Sequence, residues 1–89
     1  MVMGVKFTEV WKSIRLHKGD VFTTAKGLKF TYSILGNWAI ISNTDFRITK
    51  TSFEKAYNEM PILDPEEYSE DIQGKYFIYA ILNDPRINP

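Results

Sequence analysis

The stretch 21-VFTTAKGLKFTYSILGNWAIIS-42 decides the fold. It reads as three short antiparallel strands joined by two tight turns, Lys26-Gly27 and Gly36-Asn37. Each turn places a glycine where a two-residue hairpin connection calls for positive φ. Two-residue connections fix the register. Ala25 is expected opposite Leu28, Thr23 opposite Phe30 and Val21 opposite Tyr32. Across the second turn, Leu35 faces Trp38, Ile34 faces Ala39 and Tyr32 faces Ile41. One face then carries Val21, Thr23, Ala25, Leu28, Phe30, Tyr32, Ile34, Ala39 and Ile41, and reads as core. The other carries Phe22, Thr24, Lys29, Thr31, Ser33, Leu35, Trp38, Ile40 and Ser42. That face is half apolar and half polar, and its use is the functional question.

Helical signals flank this meander. Phe7, Val10, Trp11 and Ile14 fall at i, i+3, i+4 and i+7, an apolar stripe within a helix from Thr8 to Lys18 that Thr8 can cap. Arg15, His17 and Lys18 suit its last turn, where the helix dipole favours cations, and Gly19 suits the position after it. Beyond the turn-forming link Asn43-Thr44-Asp45, Phe46 is placed to anchor the link to the core. Thr49 then caps a second helix, with Ile48 stapling onto Phe53. Phe53, Ala56, Tyr57 and Met60 form its inward stripe, and Pro61 stops it.

Asp64-Pro65-Glu66-Glu67 is another strong helix start, read as a short helix to about Gln73 ended by Gly74. The segment Tyr76–Leu82 fits a short helix through Phe77, Ile78, Ile81 and Leu82, and its composition also suits a buried strand. We read it as a helix. The order is α-β-β-β-α-α plus this last short apolar element: one small α+β domain over residues 1–89, with a three-stranded antiparallel sheet packed against helices.

Composition narrows the class. A chain of 89 residues that is 44% hydrophobic and 15% aromatic holds one core and folds alone. Cysteine is absent, which excludes a disulfide scaffold and points to a reducing compartment. Residues 1–7 lack the apolar run of a signal peptide, and no stretch reaches the length needed to cross a bilayer. The expectation is a cytoplasmic protein with no membrane partner. Net charge is zero but uneven: residues 1–55 hold nine Lys/Arg and four Asp/Glu, residues 56–89 two and seven. The halves therefore carry +5 and −5. Such asymmetry marks either a basic binding surface or two halves that attract each other in the fold.

The run Phe22-Thr-Thr-Ala-Lys-Gly-Leu-Lys-Phe-Thr-Tyr32 is followed by Arg47-Ile-Thr-Lys50, Phe53-Glu-Lys-Ala-Tyr57, Tyr79-Ala-Ile-Leu82 and Asp84-Pro-Arg-Ile87. This pattern resembles short uncharacterised bacterial proteins, some carried on mobile elements, over most of residues 21–87. In that pattern a helix-capping serine follows the glycine of the last segment, whereas here Lys75 follows Gly74. The resemblance implies a compact domain and carries no activity.

Catalytic chemistry leaves no trace in the spacing. Phosphate loops, dinucleotide fingerprints and nucleophile elbows are absent. The single histidine, His17, has no second histidine to share a metal, and no pair among the eleven carboxylates is selected. Glu67, Glu70 and Asp71 share a helix face without the ligand spacing of a calcium loop. The expectation is a non-enzymatic binding domain with neither cofactor nor metal.

Two partners fit. A nucleic acid would meet the outer sheet face and the start of the helix at Thr49, through Lys26, Lys29, Thr31, Arg47 and Lys50. Alternatively, Phe22, Leu35, Trp38 and Ile40 form an apolar patch for another protein or a second copy of this chain, as a homodimer. If a helix covers that face instead, Trp38 belongs to the core.

Overall fold

Residues 29–35 alternate between core and solvent. In the computed structural model, which describes residues 6–42 and 44–88, Phe30 and Tyr32 are buried and Ile34 is half-buried, while Lys29, Ser33 and Leu35 are exposed. The elements in chain order are α1 (Phe7–Leu16), β1 (Phe22–Thr23), β2 (Lys29–Phe30), β3 (Tyr32–Leu35), β4 (Trp38–Ile41) and β5 (Arg47–Thr49). They continue with α2 (Lys50–Asn58), a 3-10 turn (Pro65–Glu67) and α3 (Lys75–Leu82). β1 and β2 form one antiparallel ladder, and β3, β4 and β5 form a second in that order. The α+β class and the three-stranded antiparallel sheet on helices are as expected. Between the ladders, the Thr31 N–H donates to Ser42 Oγ at 3.0 Å, and the Thr31 carbonyl accepts from the Ser42 N–H at 2.9 Å. The long strand therefore remains tied to its neighbour where the two ladders meet.

One hydrophobic core joins the helices to one face of the sheet. It takes Phe7, Val10, Trp11 and Ile14 from α1, Phe53, Ala56 and Tyr57 from α2, and Ile78, Ile81 and Leu82 from α3. The sheet contributes Tyr32, Ala39, Ile41 and Ile48. Buried apolar area of this kind is the main favourable term in folding, at about 25 cal/mol per Å². Aromatic rings interlock within it: Trp11 lies 5.7 Å from Phe53, and Phe30 meets Phe77 edge-on at 4.9 Å. The Tyr32 hydroxyl donates to the Ile14 carbonyl at 2.6 Å, satisfying both groups inside the core. Burial holds its pKa well above the usual tyrosine value.

The second hairpin has the expected register, with Leu35 opposite Trp38 and Tyr32 opposite Ile41. The first does not: Phe22 pairs with Phe30, and Thr23 with Lys29. The Thr24 carbonyl accepts from the Gly27 N–H at 2.9 Å and the Thr24 N–H donates to the Leu28 carbonyl at 2.8 Å, leaving a three-residue loop with Gly27 at φ +90°. One additional loop residue inverts the parity of β1. Phe22 and Thr24 therefore point inward, and Val21, Thr23, Ala25 and Leu28 are exposed, the reverse of the expected faces. The inversion buries a whole phenyl ring, which packs 6.0 Å from Phe30 and 5.4 Å from Tyr32. Above the ring, the Arg86 guanidinium lies 4.2 Å from its centroid while donating to the Val21 carbonyl at 2.9 Å. Phe22 thus leaves the set of candidate interface residues.

Further differences follow from tertiary packing. β5 is an additional strand, added to β4 with Ile48 inward opposite Ala39, where the sequence suggested only a lead-in to α2. Of the expected Asn43-Thr44-Asp45 link, Asn43 lies outside the described residues. Thr44 Oγ1 donates to the Ile41 carbonyl and accepts from the Phe46 N–H. α1 starts one residue before Thr8, without a side-chain cap. The expected helix to Gln73 is only a 3-10 turn. Asp64 caps it as anticipated, but Tyr68 takes an extended backbone and turns its ring into the core, and the Ser69 N–H donates to the Glu59 carboxylate.

Gly74 begins α3 rather than ending a helix, with φ +75°. A side chain here would strike the Phe46 ring and lie 3.0 Å from Ile48 Cδ1. The glycine lets the link and β5 settle onto the start of α3. Gly74→Ala should therefore destabilise the protein more than Gly27→Ala, where nothing lies within 4 Å of the added methyl. Both changes carry about 1–2 kcal/mol of backbone strain; Gly74→Ala adds about 1–3 kcal/mol of overpacking. Thermal unfolding of the two variants measures the difference, and equal melting temperatures would contradict this packing.

Candidate nucleic-acid interface

The helices join the inner sheet face, and among the described residues the outer one remains open. Its side chains fall in rows: Leu35, Trp38 and Thr49 form one, and Ser33, Ile40 and Arg47 the next. Alternation continues along the strand through Thr31 to Lys29, which pairs with Thr23. No carboxylate occupies any of these positions. Trp38 is 44% exposed and Leu35 63%, while Ile40 is half-buried. By contrast, Trp11 is in the core at 5% exposure.

The five residues expected to meet a nucleic acid divide between places. Lys29 and Thr31 belong to the polar end of the outer face, and Arg47 to its far strand. Neither Lys29 nor Arg47 forms an ion pair among the described residues. Lys26 stands apart at the tip of the first hairpin, its Nζ 4.9 Å from the centre of the Tyr76 ring on α3. Lys50 opens α2, and its backbone N–H donates to the Asn37 carbonyl at 2.8 Å. The Ser52 N–H is taken by Thr49 Oγ1 at 3.1 Å. Two of the first three amides of α2 are thus satisfied within the protein, so this helix start offers an anion less than the sequence suggested.

A second surface escaped the sequence reading. Between α1 and the β3–β4 turn runs an open groove of about 770 Å³. Lys12, Arg15 and Lys18 line one wall, Ile34 and the Gly36-Asn37 turn form the other, and Trp11 reaches the floor. The groove has no carboxylate in its lining, and none of the three cations has an ion-pair or hydrogen-bond partner among the described residues. In the sequence, the spacing of Thr8, Lys12 and Arg15 at i, i+4 and i+7 was the available signal. The turn that completes the groove is brought in by tertiary packing.

Two cations away from the groove, Lys55 and Arg86, are paired. Asp71 bonds to Lys55, whose ammonium holds the carboxyl below its usual pKa range. Arg86 grips Asp84 through two bonds of 2.9 Å, with the same effect on Asp84, and lies 3.7 Å from Asp20. His17 has a partner after all: its Nδ1 lies 2.9 Å from Asp20 Oδ2. That contact ties the end of α1 to the Arg86 cluster, and no nucleophile adjoins it among the contacts described. No helix among the described residues is long and apolar enough to cross a membrane.

The chain matches no protein-family model, no curated protein and no solved structure. The site's least ordinary feature is an exposed tryptophan on a sheet face whose paired strand positions carry no carboxylate. Intrinsic fluorescence should resolve Trp38 from Trp11: acrylamide should quench one accessible population, and Trp38→Phe should abolish it. A single protected population in the wild-type protein would contradict the open face.

Proposed function

We propose that this protein is a small non-enzymatic domain that binds nucleic acid through the outer face of its sheet. One observation carries the reading: among the described residues that face is uncovered, bears Lys29 and Arg47 outside any ion pair, and has no carboxylate at its paired strand positions. Cations on such a surface neutralise phosphates and release counterions, a sequence-independent attraction. Thr31 and Ser33 supply hydroxyls beside them, and the exposed Trp38 ring offers a stacking surface for a base. Lys50 adds charge at the edge nearest the turn, through its side chain rather than its amide. Lys26, held over Tyr76, lies outside this footprint.

A second reading rests on the exposure of Leu35 and Trp38 beside Ile40. Without Phe22, these three form a smaller apolar patch, suited to another protein or a second copy of the chain.

Titration against mixed DNA and RNA at low and moderate salt separates the two. On the nucleic-acid reading, affinity falls steeply as salt rises, and Lys29→Glu or Arg47→Glu each weakens binding and reduces the salt slope by about 1. On the protein-interface reading, Trp38→Ala abolishes self-association or partner capture and the charge reversals change little. Absence of binding at low salt, together with a dimer in sizing experiments that Trp38→Ala dissociates, would overturn the nucleic-acid assignment.

A further inference from the structure

The cationic groove and the outer sheet face lie on opposite sides of β3. Ile34, at the groove wall, belongs to the inward set of side chains, whereas Leu35 and Trp38 belong to the outward set. The two surfaces meet at the Gly36-Asn37 turn, which lines the groove and joins Leu35 to Trp38. We propose that the groove is a track for the sugar-phosphate backbone of a single-stranded nucleic acid. The strand leaves the sheet face at Trp38 and passes over the turn between α1 and β3; this inference rests on the nucleic-acid reading above.

Three features favour this ligand. First, Lys12, Arg15 and Lys18 give the groove three cations, none of them neutralised within the described residues, and no opposing carboxylate lines it. A buried or paired set would have been structural; an unpaired set facing a concave wall attracts a polyanion. Second, the path turns a corner, from one side of β3 to the other at the Gly36-Asn37 turn. A duplex, with a persistence length of about 150 base pairs, follows it only at a large deformation cost that a single strand does not incur. Third, the exposed Trp38 ring is beside the lip, where an unpaired base can stack; bases within a duplex have no free face to offer. Asn37, at the corner, adds an amide for sugar or phosphate contacts.

The test is fluorescence anisotropy of the full chain with a fluorescein-labelled oligothymidylate of about 16 nucleotides and a mixed-sequence duplex of equal length. Titrations at about 50 and 200 mM salt give the slope. The wild-type protein should bind the single strand more tightly than the duplex. Lys12→Glu/Arg15→Glu should weaken single-strand binding about tenfold or more at the lower salt and reduce the slope by about 1.4, as expected for two lost phosphate contacts. Lys75→Glu, away from both surfaces, should leave binding unchanged. Circular dichroism monitors folding, and if the charge reversals unfold the chain, Lys12→Gln/Arg15→Gln serves with the same readout. If the duplex binds as tightly as the single strand, or the groove variants match wild type while Lys29→Glu and Arg47→Glu weaken binding, the groove assignment fails and the sheet-face reading stands. If wild type binds neither probe at low salt, both fail.

Discussion

Tyr32 is the residue on which the arrangement depends. Its ring is buried beside Phe22, its hydroxyl donates to Ile14 near the end of α1, and its carbonyl accepts from the Gly19 N–H at 2.9 Å. One side chain and its backbone thus bind the first helix and the first hairpin to β3. A buried phenol hydroxyl costs free energy unless it is hydrogen-bonded, and for Tyr32 the Ile14 carbonyl supplies the bond. With Tyr32 inward, strand alternation sends Ser33 and Leu35 outward, and the paired strands follow with Trp38, Ile40 and Arg47. The open face is therefore a consequence of the core.

Legibility tracked how local each determinant was. The stripe Phe7, Val10, Trp11 and Ile14, the Thr49 cap and the Leu35–Trp38 hairpin were readable because each depends on neighbours within one turn of chain. Phe22 was misplaced because parity depends on counting loop residues, and the Thr24–Leu28 pairing admits one more than the sequence suggested. β5 escaped because three residues carry too little alternation to distinguish a strand from a helix lead-in. The helix expected after Asp64 had every local start signal and still ended after one turn, since burying Tyr68 required the chain to extend. Tertiary packing overrode propensity there.

The candidate site shows the same division. Arg47 and Lys29 lie on the outer face as their parity in the sequence implied, whereas Lys26 is engaged by Tyr76 and the amides of α2 are engaged by Asn37 and Thr49. The groove was invisible because it joins α1 to a turn about 20 residues away. The charge asymmetry of the sequence takes a concrete form in this arrangement. Its basic half contributes the unpaired Lys12, Arg15, Lys18, Lys29 and Arg47, while the acidic half supplies partners to Lys55 and Arg86. Attraction between halves accounts for two pairs, Lys55–Asp71 and Arg86–Asp20, and leaves the other eight cations of the basic half outside any ion pair among the described residues.

Amide chemical-shift mapping with a short single-stranded oligonucleotide locates the bound strand without altering any residue. A strand bound as proposed should perturb residues 12–18, 33–38 and 47–50, spanning α1, the β3–β4 turn and β5, with the 3-10 turn and α3 unaffected. Perturbations confined to the 3-10 turn and α3, or none at low salt, would contradict this binding mode.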